Sequence, residues 1–177
     1  MTLRHDGDTV LTGSPKMSFR ATRFLLVCIA LVAASACSKQ KLIPNTKVRD
    51  TPLNREILTV VEKYRKAMER LNAAEVLTLV HPTYQDHAGT PKADDDIDYA
   101  GLKSLLATRF KHTTKIRYRI EYQDVEVKGR EATVDAYVDA TFIYEDPKAN
   151  PRWRRLTDFN RFHLLKDGDT WRFVGGL

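Results

Sequence analysis

The hydrophobic period of this chain changes near Lys115, and that change constrains the fold more than any other feature of the sequence. Beyond it Ile116, Tyr118, Ile120 and Tyr122 alternate with Arg117, Arg119, Glu121 and Gln123, a spacing that turns one side of an extended strand toward a core. Lys128-Gly129 then offers a turn. Ala132, Val134, Ala136, Val138, Ala140 and Phe142 alternate against Thr133, Asp135, Tyr137, Asp139, Thr141 and Ile143, as the returning arm of an antiparallel hairpin does. A third strand is predicted over about Trp153 to Lys166, and Asp167-Gly168 joins it to a fourth over Thr170 to Val174.

Before the change the period is helical. Thr51-Pro52 suits an N-cap with Pro at the first helical position, and Ile57, Val60, Val61, Tyr64, Ala67, Met68 and Leu71 follow at helical spacing. Asn72, with Glu75 three residues on, starts a short second helix carrying Val76, Leu77, Leu79 and Val80, which His81-Pro82 stops. Asp98 caps a third, from about Tyr99 to Phe110, with Leu102, Leu105, Leu106 and Phe110 on one face. Three helices followed by a bent antiparallel sheet give an α+β class, with a single domain over residues 51–177.

The amino-terminal region reads differently. Arg20 and Arg23 precede the 11-residue apolar run Phe24 to Ala34, and small residues Ser35 and Ala36 precede Cys37, the three-part layout of an export signal over residues 17–36. A spanning helix needs about 20 apolar residues, so a permanent transmembrane anchor is the weaker reading. Ala34-Ser35-Ala36-Cys37 resembles the lipobox of bacterial lipoproteins, with Ala34 where Leu is commonest. That resemblance implies a diacylglyceride on Cys37 and attachment to a membrane of the cell envelope. The same residues satisfy the A-x-A pattern of ordinary secretory cleavage, which releases a soluble protein. By analogy with such lipoproteins, Ser38 in place of Asp implies the periplasmic face of the outer membrane. Residues 1–16 contain Asp6 and Asp8, unusual ahead of an export signal, so Met17 is the expected start and the preceding residues an extension without fixed structure. Residues 37–50 are polar, contain Pro44, and read as a flexible tether.

Composition excludes several classes of function. With 42% hydrophobic and 29% charged residues the chain is built to fold rather than to stay disordered. Four basic and two acidic side chains precede Cys37, which leaves 25 basic against 21 acidic, a formal +4, for the 141 residues from Cys37 onward. The positive residues are interleaved with acidic ones, unlike the clustered footprint of a nucleic-acid binder. Cys28 lies inside the export segment, so no internal disulfide survives cleavage.

A second resemblance rests on Ile57 to Ala67 leading into Leu71, on His81-Pro82-Thr83-Tyr84-Gln85-Asp86, and on the closing Phe159 to Leu177 stretch with Gly168, Trp171 and Gly175-Gly176-Leu177. In this layout the chain is similar to the nuclear transport factor 2-like superfamily. The resemblance implies a cone in which a concave sheet and helices enclose a pocket, and a sheet face on which two copies can form a homodimer. Tyr64, Tyr84, Asp86, His87, Tyr118 and Tyr122 are then the candidate pocket residues. Ketosteroid isomerase-like and polyketide-cyclase-like enzymes share this superfamily, and an acid or base such as Asp86 is what an isomerase or cyclase reading requires. No residue aligns with their general base and oxyanion donors, so no catalytic residue is assigned. The expected function is binding of a small apolar ligand or another envelope protein.

Other clusters have plainer readings. Asp94, Asp95, Asp96 and Asp98 invite a hard cation, but an EF-hand-like loop from Asp94 would need Gly and Glu where Tyr99 and Leu105 stand, so helix capping explains them and no metal site is assigned. His81, His112 and His163 lack the spacing and companions of a zinc site. Arg117, Arg119, Asp135, Asp139, Arg154 and Arg161 are expected in cross-strand ion pairs, and Trp153 and Trp171 as packing at strand ends. No cofactor is implied.

Overall fold

The computed structural model describes residues 40–87 and 96–177, and the export segment, Cys37 and the Asp94-Asp95 pair lie outside them. Helix α1 runs Pro52–Glu69. Its first turn is closed by Thr51, whose hydroxyl accepts from the Asn54 N–H at 3.1 Å, and it buries Ile57, Leu58, Val61, Tyr64, Ala67 and Met68 on one stripe. The chain leaves α1 through Leu71 in the left-handed region (φ 56°), with Asn72 N–H donating back to the Ala67 carbonyl. Helix α2, Ala73–Thr78, starts where Asn72 accepts from Glu75 N–H at 3.0 Å. Strands β1 (Gln85–Asp86) and β2 (Ile97–Asp98) form a two-residue ladder, and helix α3 spans Tyr99–His112 with Asp98 capping Gly101 N–H at 2.7 Å.

Four strands follow, β3 (Thr113–Lys128), β4 (Glu131–Glu145), β5 (Pro151–Asp167) and β6 (Thr170–Gly175), paired antiparallel in chain order. Gly129 and Gly168 supply the positive φ of the two tight turns at 63° and 58°. Register shifts between Tyr122 and Asp124 and between His163 and Leu164 add the local twist that curves the sheet. On the concave face of β4, Ala132, Val134, Ala136, Val138 and Ala140 are all buried, and three of the five are alanines. Their small size leaves room for Tyr64 of α1, whose ring meets Phe173 at 5.4 Å and Phe162 at 6.1 Å. The core is centred there, between α1 and the junction of β5 with β6.

Two expectations need correction. Residues 41–50 are not a free tether: Leu42 bridges Arg49, Ile43 N–H donates to the Val48 carbonyl at 2.9 Å, and Val48 is 1% exposed. Asn45, in the left-handed region at φ 62°, turns the hook, Lys47 N–H donates to the Tyr122 carbonyl, and the buried Asn54 side chain donates to the Arg49 carbonyl. Ile43 and Val48 bring enough apolar surface to hold a segment that is otherwise polar. Trp153 does not pack at a strand end but is 72% exposed on the convex face, whereas Trp171 is buried beneath Lys166, whose ammonium lies 5.7 Å from the ring centre.

On the convex face Arg119, Asp135, Asp139 and Arg161 of the expected set form ion pairs, whereas Arg117 and Arg154 enter none among the described residues. Arg161 holds Asp135 at 2.7 Å and Arg155, rather than Arg154, holds Asp139 at 2.8 Å, with Arg119 also 3.4 Å from Asp139. These guanidiniums keep both aspartates below the usual carboxylate range. Between the pairs Tyr137 and Phe159 stack edge to face at 5.3 Å, each about half exposed.

Candidate functional site

Among the described residues, two concavities bear on ligand binding. One, of about 600 Å³, lies between the hook and α1, with exposed Arg55, Thr59, Lys63 and Lys66 beside Leu58, Ile120 and Tyr122. The other, of about 550 Å³, opens into the cone itself. Its walls are α3 (Leu102, Leu105, Leu106), the concave sides of β3 and β4 (Ile116, Tyr118, Phe142), and Leu156 of β5, with Tyr64 and Met68 of α1 and Val76 of α2 at its floor. Although the first is slightly larger, it is more open to solvent and offers a ligand less apolar surface than the second. The cone cavity is the better site, since ligand pockets are mainly apolar with a few placed polar groups.

The six candidate pocket residues divide into three groups. Tyr64 and Tyr118 line the cone cavity, their rings edge to face at 5.9 Å. Burial pushes both hydroxyls above the ordinary phenol value, so at neutral pH they are uncharged. Tyr122 faces the other concavity, where its hydroxyl donates to Glu62 at 2.7 Å, and burial again holds it protonated. Glu62 and Glu69 in turn grip Arg65 at 2.9 and 2.8 Å, and Glu69 accepts from Tyr118 N–H, so this network fastens α1 to β3.

Tyr84 and Asp86 form the third group, with His87 beside them. The Tyr84 ring is 1% exposed and its hydroxyl donates to Asp86 at 3.1 Å while accepting from Leu177 N–H at 3.2 Å. Asn160 holds the adjoining Gly176 carbonyl at 2.8 Å. Tyr84 therefore seats the chain's last residues, and Leu177 in turn lines the cavity. Its role at the site is positional. Asp86 lies outside the lining, and the His87 ring, exposed, is 3.0 Å from Asp96 across the small ladder.

The sequence reading missed most of the apolar wall. Leu102, Leu105, Leu106 and Phe110 were identifiable as an apolar face of α3, but periodicity does not say whether such a face meets a neighbour or a void. It also missed the polar groups of the cavity. Arg109 and His112 on α3 and Arg154 on β5 all line it, and no Asp or Glu does among the described residues. Among those residues neither Arg109 nor Arg154 has a carboxylate partner. The described residues also contain no group of His, Cys, Asp and Glu that could hold a metal ion, and no helix among them is long and apolar enough to cross a membrane.

No protein-family model matches the chain, and no curated protein matches it. Solved structures do. A candidate aromatic ring hydroxylase from Novosphingobium aromaticivorans superposes with a TM-score of 0.60 at 14% identity, over 72% of this chain and 89% of that one. A candidate dehydratase of the nuclear transport factor 2-like family from Streptomyces avermitilis gives 0.57 at 14% identity, over 70% and 92%. A ketosteroid isomerase-like protein from Erwinia carotovora atroseptica gives 0.55 at 18% identity, over 72% and 95%. At these identities the likeness is one of fold: helices packed in the curve of a four-stranded antiparallel sheet, the nuclear transport factor 2-like cone.

Proposed function

We propose that this protein binds a small, largely apolar ligand in the cone cavity and does so at the cell envelope, attached through lipid on Cys37. The observation that carries the binding reading is the cavity wall, in which leucine, isoleucine, phenylalanine and tyrosine side chains surround about 550 Å³. Folds of this type serve small-molecule chemistry in the dehydratase and isomerase-like relatives named above, which supports a ligand-sized rather than a protein-sized occupant. An isomerase or cyclase working through Asp86 has less support, because that carboxylate sits with Tyr84 outside the cavity lining. The exposed Tyr137 and Phe159 pair, with Trp153, is the surface that favours a homodimer through the sheet face or contact with another envelope protein.

The neutral fluorophore N-phenyl-1-naphthylamine tests the binding reading. Saturable binding with one site per chain is expected, and Leu105→Trp, which enlarges a half-buried wall residue into the cavity, is expected to weaken it at least tenfold without unfolding the protein. Binding that is absent, or indifferent to the filled cavity, would overturn it. The attachment reading is tested by intact mass of the protein extracted from membranes. A mass raised by a diacylglyceryl group on a chain that begins at Cys37 is expected, whereas an unmodified chain in the soluble fraction would refute anchoring and leave export standing.

A further inference from the structure

The cone cavity is apolar at its floor but not at its mouth. Arg109 comes from α3 and Arg154 from β5, both in the cavity lining, and His112 stands three residues along α3 from Arg109, a spacing that places it on the same side of the helix. Every other arginine on the first half of β5 is ion-paired: Arg152 holds Asp146 at 3.1 Å and Arg155 holds Asp139 at 2.8 Å. Arg154 shares the parity of Arg152 but not its partner: it lies across from Phe142 and lines the cavity. Strand alternation puts Arg154, Leu156, Asp158 and Asn160 on the concave side, opposite Phe142, Ala140, Val138 and Ala136. Asp158, the nearest carboxylate along that face, is not part of the lining and accepts from Phe159 N–H at 2.8 Å.

Arg109 is exposed, and its positive charge opposes the upward push that burial gives the Tyr64 phenol. Two guanidiniums that border an apolar cavity, with no carboxylate partner among the described residues, are an unusual arrangement for a purely apolar ligand. Both guanidiniums are exposed in the open cavity, so a ligand that covered them would strip their water, and an anionic group on it would replace those hydrogen bonds. The planar fork of arginine matches a carboxylate in a two-bond geometry that lysine cannot offer.

We infer that the ligand of this cavity is an amphiphilic acid, an aromatic or aliphatic body carrying one carboxylate, whose body fills the space between Tyr64, Leu106 and Phe142 and whose carboxylate is held at the mouth by Arg109 and Arg154. The inference rests on the cavity being a ligand site and adds the chemistry of the head group. It also accounts for Arg154 on the cavity side of β5, whereas Arg155 on the opposite face is taken up by Asp139.

The test compares 2-naphthoate with 2-naphthylmethanol by titration calorimetry on the protein and on the Arg109→Gln/Arg154→Gln double variant. Both arginines are exposed at the mouth, so the variant is expected to keep the thermal midpoint of the parent within a few degrees. Naphthoate is expected to bind at least tenfold more tightly than the alcohol, and the double variant to lose that preference. Equal affinity for acid and alcohol in the parent would overturn the head-group assignment and leave the apolar site intact. A preference that survives in the variant would overturn the assignment to these two arginines. If neither naphthyl compound nor the neutral fluorophore binds, the cavity reading itself falls, and this inference with it.

Discussion

Replacing Phe173 with alanine is expected to lower unfolding free energy by about 3–5 kcal/mol, the range for removing a buried aromatic ring without collapse of its surroundings. Phe173 is fully buried, meets Tyr64 at 5.4 Å and Phe162 at 5.9 Å, and belongs to the strand that closes the sheet. Its backbone is held on both sides: its N–H donates to the Leu79 carbonyl at 2.9 Å and its carbonyl accepts from His81 N–H at 2.8 Å. The side chain thus fixes the place where the end of α2, β6 and α1 converge. Because small domains are stable by about 5–15 kcal/mol, a loss of this size would leave a marginal fold. Urea unfolding followed by far-ultraviolet circular dichroism measures it. Phe173→Leu, which keeps most of the volume, is expected to lose less than half as much. A loss under about 1 kcal/mol for the alanine variant would show that the core is centred elsewhere.

Gly176→Ala carries the second large effect and separates two costs that glycine substitutions usually mix. Gly176 has φ 84°, and a Cβ there would lie 2.1 Å from the Arg161 carbonyl oxygen, which is backbone in the middle of β5 and cannot step aside. Gly168 has φ 58° with nothing within 4 Å of its would-be Cβ. Gly168→Ala is therefore expected to cost about 1–2 kcal/mol from the left-handed conformation alone. Gly176→Ala must also displace the tail, which breaks the Asn160 bond to the Gly176 carbonyl and the Leu177 bond to Tyr84. With about 1 kcal/mol for each lost hydrogen bond, the total is expected near 3–4 kcal/mol. The tail carries Leu177, so the same variant is expected to bind N-phenyl-1-naphthylamine more weakly, whereas Gly168→Ala is not. Thermal melting and fluorescence titration of the two variants check both halves. Equal melting shifts would show that the tail is free to relocate.

These two sites mark the boundary of what the sequence made legible. The change of period at Lys115, the capping residues Thr51, Asn72 and Asp98, and the turn glycines 129 and 168 encode local structure in local chemistry, and the elements form where those signals stand. The hook at residues 41–50 was not legible, because its stability comes from Val48 and Lys47 meeting α1 and β3, contacts remote in sequence. The facing of β5 was not legible for a different reason. From Arg152 to Asp158 both faces of the strand carry polar side chains, so no alternation of hydrophobicity marks which parity turns inward. Arg154 therefore read as a cross-strand ion pair, and only pairing with β4 moves it to the cavity. Tyr84 and Asp86 were legible as a motif but not in their task, since the residue they hold, Leu177, is 93 positions away from Tyr84.

The folded hook also sets a length. Had residues 37–50 been extended, a lipid on Cys37 would have been a long leash, but the Lys41 carbonyl already accepts from Asp50 N–H and Leu42 is bridged to Arg49, which leaves at most the five links from Cys37 to Leu42 between the lipid and the fold. Five links at about 3.3–3.6 Å each reach at most about 18 Å, well under the thickness of a bilayer. On the anchoring we propose, such a domain could not sample the breadth of the periplasm. Its working volume would be a thin shell over the membrane surface, a place where amphiphilic acids concentrate by partitioning into lipid.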